Sequence, residues 1–320
     1  MKIRKLCLSI ALCLSSALSG CESPPSQSVD LAPPMITPEQ ACPDLIKAYC
    51  TKALECYPII QVLQFPDVAT CAARINLTCP QLVKAMGSSV TGADLQACTP
   101  KLAGASCPDY LMANGPVRLC GFKPGTLTDG TACGEDVQCQ SLYCKKATGM
   151  DCGKCTAIGK TGSVCTETAD CDKGLVCAGA AGAKLCTAYL PTGASCTTTS
   201  NSVSCQPLLA CRNGSCATTA KLGESCSTLT QDCDGLSGLS CSVTNKCVTP
   251  ATAQLGGACG VQGTTYIACI GGTFCEPVSK KCIAPAADGA TCNETTGPRC
   301  QSPAKCVASV CKIADPTLCK

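Results

Sequence analysis

The sequence predicts a small disulfide-rich fold: a stapled helical N-terminal region followed by tandem cysteine-rich repeats of irregular or short-β structure, strung into an elongated array. Three observations lead there. Cysteine supplies 37 of 320 residues, above the density that marks a disulfide scaffold. Phe, Tyr and Trp make up only 3%, with no Trp at all. A glycine also recurs three residues ahead of a cysteine six times, at a nearly constant interval. With so few large side chains an ordinary core cannot be packed, so stability must come from disulfides worth about 2–4 kcal/mol each. Such density persists as disulfides only in an oxidising compartment, so the chain is expected to be exported.

The N-terminus agrees with export. Lys2, Arg4 and Lys5 precede the apolar run LCLSIALCLSSALSG, which is too short for a comfortable membrane span and has the flanks of a signal peptide over residues 1–20. Its removal takes three basic residues and no acid, leaving 22 basic against 22 acidic side chains. A neutral chain with no basic stripe is not expected to bind nucleic acid. Leu18-Ser19-Gly20-Cys21 resembles the bacterial lipobox, which implies cleavage before Cys21 and acylation of its thiol and new amino group. Three chains exceed what stable anchoring requires. Cysteine parity fits: Cys7 and Cys13 leave with the signal peptide, and with Cys21 lipidated the remaining 34 can pair as 17 disulfides. Residues 21–41 hold prolines and only Cys21, and read as an extended tether of roughly 60 Å at ~3.1 Å per residue. Glu22, where an Asp would favour inner-membrane retention in enteric bacteria, points to an outward-facing outer-membrane lipoprotein, with free secretion as the alternative.

Residues 42–122 carry eight widely spaced cysteines. Cys42, Leu45, Ile46, Tyr49, Cys50, Ala53 and Cys56 fall on one helical stripe. Asp67 can cap a second helix carrying Val68, Cys71 and Ile75, and Thr91-Gly92-Ala93-Asp94 has the form of a capping box before a third. This region is expected to be a helical unit held by up to four disulfides.

From residue 123 the texture changes. Gly130, Gly162, Gly193, Gly223, Gly256 and Gly289 lead into the opening cysteines Cys133, Cys165, Cys196, Cys226, Cys259 and Cys292. Units two to six each hold four cysteines, unit one holds five, and Cys319 stands alone near the end. Short segments between cysteines read as β-hairpins or loops, with glycine supplying the positive φ of a tight turn. Four cysteines allow three connectivities, and spacing does not choose among them.

Within residues 123–190, Cys133, Cys139, Cys144, Cys152, Cys155, Cys165, Cys171, Cys177 and Cys186 form a spacing that resembles the Dickkopf N-terminal cysteine-rich domain. Shared features are the close opening cysteines, the Tyr143-Cys144 pair and the Cys152-to-Cys155 spacing. The family has adjacent cysteines where Cys171 is followed by Asp172, leaving nine instead of ten. One of the nine therefore needs an outside partner, and Cys319 is a candidate. Residues 191–320 hold four further repeats, similar by spacing only. The resemblance implies an extracellular interaction module.

Histidine is absent, which removes the usual general base and imidazole ligands. Cys152-Gly153-Lys154-Cys155 could be a thiol-exchange or metal site, but it lies between loop segments and lacks a second such motif to complete a zinc site. Structural disulfides are the expectation, with no catalytic residue, metal or cofactor. Function is expected to be that of a lipid-anchored, surface-displayed binding or structural protein without catalysis. It would be held to a membrane through N-terminal acyl chains and contact a protein or envelope glycan. A protease inhibitor presenting disulfide-framed loops is the alternative.

Overall fold

A computed structural model of the chain describes residues 35–147, 150–197, 204–227, 232–263 and 265–319. The residues expected to form the signal peptide, Cys21 and the first part of the expected tether lie outside them. Seven helices come first: α1 (Pro38–Cys56), α2 (Pro58–Gln64), α3 (Val68–Ile75), α4 (Cys79–Lys84), α5 (Gly92–Gly104), α6 (Cys107–Met112) and α7 (Pro116–Cys120). Among the described residues, no helix is long and apolar enough to cross a membrane.

Helix α1 begins four residues before the expected boundary at Cys42 and so shortens the tether. Pro38 is the first helical residue, where a missing N–H costs nothing and the fixed φ helps. The Thr37 N–H donates to Gln40 Oε1 at 2.9 Å, tying down the entry. The expected stripe then faces inward: Cys42, Leu45, Ile46, Cys50 and Cys56 are buried. The other two start signals act as anticipated. Asp67 Oδ1 accepts from the Thr70 N–H at 2.6 Å, and Thr91 and Asp94 exchange bonds as a capping box. Helix α1 lies along α5 with α3, α4 and α6 around it. Four disulfides close this helical hub: Cys42–Cys79, Cys50–Cys71, Cys56–Cys107 and Cys98–Cys120.

The six repeats share one plan. The first cysteine bonds the third and the second bonds the last, as in Cys165–Cys177 with Cys171–Cys186 and in Cys292–Cys306 with Cys300–Cys311. Unit one follows with Cys133–Cys144 and Cys139–Cys155. The third and last cysteines stand opposite each other on an antiparallel hairpin, for example Cys177 against Cys186 and Cys211 against Cys216. Opposed residues project from the same face, so one face of the hairpin receives both bonds from the chain that precedes it. Each leading glycine has φ between +78° and +87°, and its N–H donates to the carbonyl of the last cysteine at 2.7–2.8 Å. The glycine is thus needed twice, for a conformation that L side chains avoid and for the bond that folds the turn onto the hairpin. The small cores are mostly sulfur and alanine, such as Cys165, Cys171 and Cys186 in unit two.

The repeats are in tandem as expected, but they do not extend away as a rod. Every unit touches the hub. In unit one, Val137 is 1% exposed and belongs to the hub's core, and Gln138 Nε2 donates to the Met86 carbonyl. In unit two, the Cys171 carbonyl accepts from Arg118 and Asn114. Tyr57 and Leu111 of the hub share a cleft with 205–210 of unit three. The loop at Gly238 in unit four meets Ile59, and the Gly272 N–H of unit five donates to the Leu63 carbonyl. In unit six, Arg74 forms a two-pronged pair with Asp288, both contacts 2.7 Å. A thirty-residue unit with a sulfur core buries little surface by itself, and the hub offers what it lacks. The array therefore wraps the helices as a belt, and a disulfide between Cys152 and Cys319 joins its first and last units.

Candidate interaction surface

The nine cysteines singled out in 133–186 are all bonded. Eight pair within their own units; the odd one is Cys152, and its partner is Cys319. Cys152 and Cys155, the pair of the CGKC motif, are not bonded to each other. Close triplets of sulfur such as Cys133, Cys139 and Cys144 lie within 4.8 Å, but they belong to neighbouring disulfides and offer no thiolate to a metal.

Three polar side chains stiffen the loop between first and second cysteines, and sequence reasoning missed them. Gln138, Asp170 and Asp232 each sit just before the second cysteine of their unit and are 1%, 6% and 6% exposed. Each accepts from the N–H of the residue after the first cysteine: Gly134 at 2.7 Å, Thr166 at 2.7 Å and Ser227 at 2.8 Å. An Asp or Gln at this repeat position in three of six units is the signal that could have found them. Asp170 goes furthest. It also accepts from Tyr143 Oη at 2.6 Å and pairs with Lys145 at 2.8 Å, across the boundary with unit one. Burial alone would raise its carboxyl, but Lys145, Tyr143 and Thr166 together hold it far below the usual carboxylate range.

The hub carries a partly open apolar cavity of about 230 Å³ lined by Leu45, Ile46, Tyr49, Leu82 and Val117, with Glu135 of unit one at one side. Burial pushes the Glu135 carboxyl up, partly offset by Lys146 at 3.7 Å.

The outer face is uneven. Six large apolar side chains of units four and five are left in solvent: Leu222, Val243, Leu255, Val261, Tyr266 and Val278 are between 63% and 96% exposed, with others such as Val164 and Leu318 standing singly elsewhere. Val243 and Val278 lie in the connections of the hairpins that pair Ser240–Cys241 with Cys247–Val248 and Phe274–Cys275 with Cys282–Ile283. Val261 and Tyr266 stand opposite each other on the antiparallel strands Gly260–Gln262 and Thr265–Cys269. These strands fill the segment between Cys259 and Cys269, the longest first-to-second spacing of the six units. Val261 and Tyr266 thus stand side by side in solvent, and adjoining exposed apolar groups mark interaction sites more often than single ones do.

The fold and surface define a disulfide-rich repeat protein of an oxidising, extracytoplasmic environment. No protein-family profile matches the chain, and no solved structure matches it. Over 148 residues it is 31% identical to "Cell-cell adhesion glycoprotein 64" of Heterostelium pallidum. The match covers 44% of this chain and 42% of that protein, so the chain spans less than half the relative's length.

Proposed function

We propose that the protein is a lipid-anchored, surface-displayed binding protein of the adhesion type, and that units four and five make its contacts with a partner protein. Acylated Cys21 holds it to the membrane, the tether spaces it outward, and the hub-and-belt framework keeps the contact loops in place. The exposed apolar side chains of units four and five, with Val261 and Tyr266 side by side on one pair of strands, are the observation that carries the reading. The partial likeness to a cell-cell adhesion glycoprotein and the Dickkopf-like spacing point the same way. An inhibitor needs an extended, unpaired loop, whereas the longest first-to-second segment is a paired hairpin.

Two measurements test this. The expressed chain should partition with membranes, and Cys21→Ser should release it to the soluble fraction; a Cys21→Ser protein that still sediments with membranes removes the anchor. Beads coated with the purified chain should bind intact cells, and Val261→Asp with Tyr266→Ser should abolish binding while leaving far-UV dichroism unchanged. Undiminished binding by that folded variant removes the contact surface.

A further inference from the structure

We propose that the Cys152–Cys319 bond is a thiol-exchange site, at which an external thiolate attacks Cys152, remains there as a mixed disulfide and unfastens the belt. The bond differs from the other sixteen in three ways.

The first is access. Cys152 is exposed, whereas every other cysteine of the described residues is buried or half-buried. Its partner Cys319 is 4% exposed. Attack is therefore directed at one sulfur of one pair, since exchange rates depend on which sulfur can be reached.

The second is connectivity. Cys152 and Cys319 are 167 residues apart. Bonds inside the units span 11–16 residues, and those of the hub 21–51. Among the described residues, no other disulfide joins one unit to another. Opening this one takes neither staple from any unit, so the chain can exchange here and stay folded.

The third is what the bond fastens. Cys319 follows the short helical turn Pro316–Leu318, which packs against α4. Pro316 presses on Gly134 so closely that a Cβ there would lie 2.5 Å from it. Lys305 of unit six pairs with Asp151, next to Cys152, at 2.8 Å. Beside the sulfur bond, the direct ties between the first and last units are this packing, the half-exposed ion pair and a Lys305 bond to the Met150 carbonyl at 3.3 Å, while each unit keeps its own seat on the hub.

The step balances without an oxidant. The incoming thiolate gives its electron pair to Cys152 Sγ, the Sγ–Sγ pair leaves on Cys319 as a thiolate, and water protonates it. One disulfide replaces another. The Cys319 thiolate can attack Cys152 again to reclose the belt, expelling the external thiolate.

The test uses the full oxidised chain and reduced glutathione as probe at mildly alkaline pH, with acid quench, alkylation and peptide mass mapping. The expected map shows glutathione on Cys152 and alkylation on Cys319, with this pair reacting at least about tenfold faster than any other, as access dictates. Glutathione spread over unit disulfides at similar rates, glutathione on Cys319 instead, or an intact Cys152–Cys319 bond would each overturn the proposal. The double variant Cys152→Ser, Cys319→Ser should take up no glutathione under the same conditions, and uptake equal to wild type refutes it as well. The wild-type map decides the matter even if the variant does not fold.

Discussion

Replacing Asp170 with alanine should loosen unit two without undoing its disulfides. The carboxylate accepts from Tyr143 Oη, from the Thr166 N–H and hydroxyl at 2.7 Å each, and from the Glu167 N–H at 3.2 Å, and it pairs with Lys145. Its side chain is 7% exposed, so water reaches it poorly, whereas Lys145 is 39% exposed and that pair must be discounted for screening. The larger penalty comes from the abandoned donors. Hydrogen bonds to a charged group are worth about 1.5–3 kcal/mol each, and removing one member of a buried charged cluster costs roughly 3–5 kcal/mol. Because Cys165–Cys177 and Cys171–Cys186 remain, that loss should appear as local opening, not as global unfolding. Amide hydrogen exchange at Thr166 and Glu167 reads it directly. At 1.36 kcal/mol per tenfold, the expected acceleration is roughly 150- to 5,000-fold. Exchange within about tenfold of wild type at both amides, in a variant with its disulfides intact, would refute the assignment of Asp170 as the structural centre of this loop.

Other expectations follow from the same geometry. The Asp170 carboxyl is depressed in the folded chain, so its stabilisation is complete above the ordinary value near ~3.9 and fades as pH falls below that toward the folded value. The protection factor at Thr166, observed exchange set against the intrinsic rate at each pH, should therefore stay high at pH 6 and fall on approach to pH 2, more steeply than at amides remote from carboxylates. Glu135 has the opposite sign: its carboxyl is raised by burial, so ionisation opposes folding as pH rises, and Glu135→Gln should increase the denaturation midpoint at pH 7. Arg74 bridges Asp288 and also donates to the Ser302 and Gln301 carbonyls at 3.0 and 3.1 Å. Arg74→Lys keeps the charge but loses the planar fork, so it should loosen unit six nearly as much as Arg74→Ala, by about 1–2 kcal/mol in exchange of unit-six amides. Gly162 and Gly153 should fail differently on conversion to alanine. A Cβ at Gly162 meets nothing, and the cost is the φ of +83° alone, about 1–2 kcal/mol. A Cβ at Gly153 would lie 2.2 Å from the Lys145 carbonyl oxygen, so Gly153→Ala should part the strands Cys144–Lys146 and Gly153–Cys155, visible as faster exchange there.

Much of this molecule follows from local rules. The helical hub was legible because its start signals, Asp67 and Thr91 with Asp94, act within four residues, and because the stripe from Cys42 to Cys56 has helical spacing. The glycine that leads each repeat was legible for the same reason: a turn of four residues needs its positive φ whatever surrounds it. Pro38 was ambiguous, since a proline suits an extended tether as well as a first helical turn, and only the Gln40 side chain reaching back to Thr37 separates the two.

What sequence could not supply was every choice made over distance. Four cysteines at similar spacings permit three pairings, and the first-to-third, second-to-last pattern emerges only when the hairpin sets its two cysteines side by side and brings the earlier chain against that face. The same holds for the belt. Composition alone said that small sulfur-cored units need something to pack on, but not that the hub would be that surface. Val137 entering the hub's core, Arg74 reaching Asp288 and Cys152 meeting Cys319 join residues separated by tens to hundreds of positions, and no periodicity or spacing encodes such contacts. Sequence alone determined the staples and the turns; tertiary packing decided which cysteines meet and closed the array on itself, because both depend on surfaces that exist only after the local elements have formed.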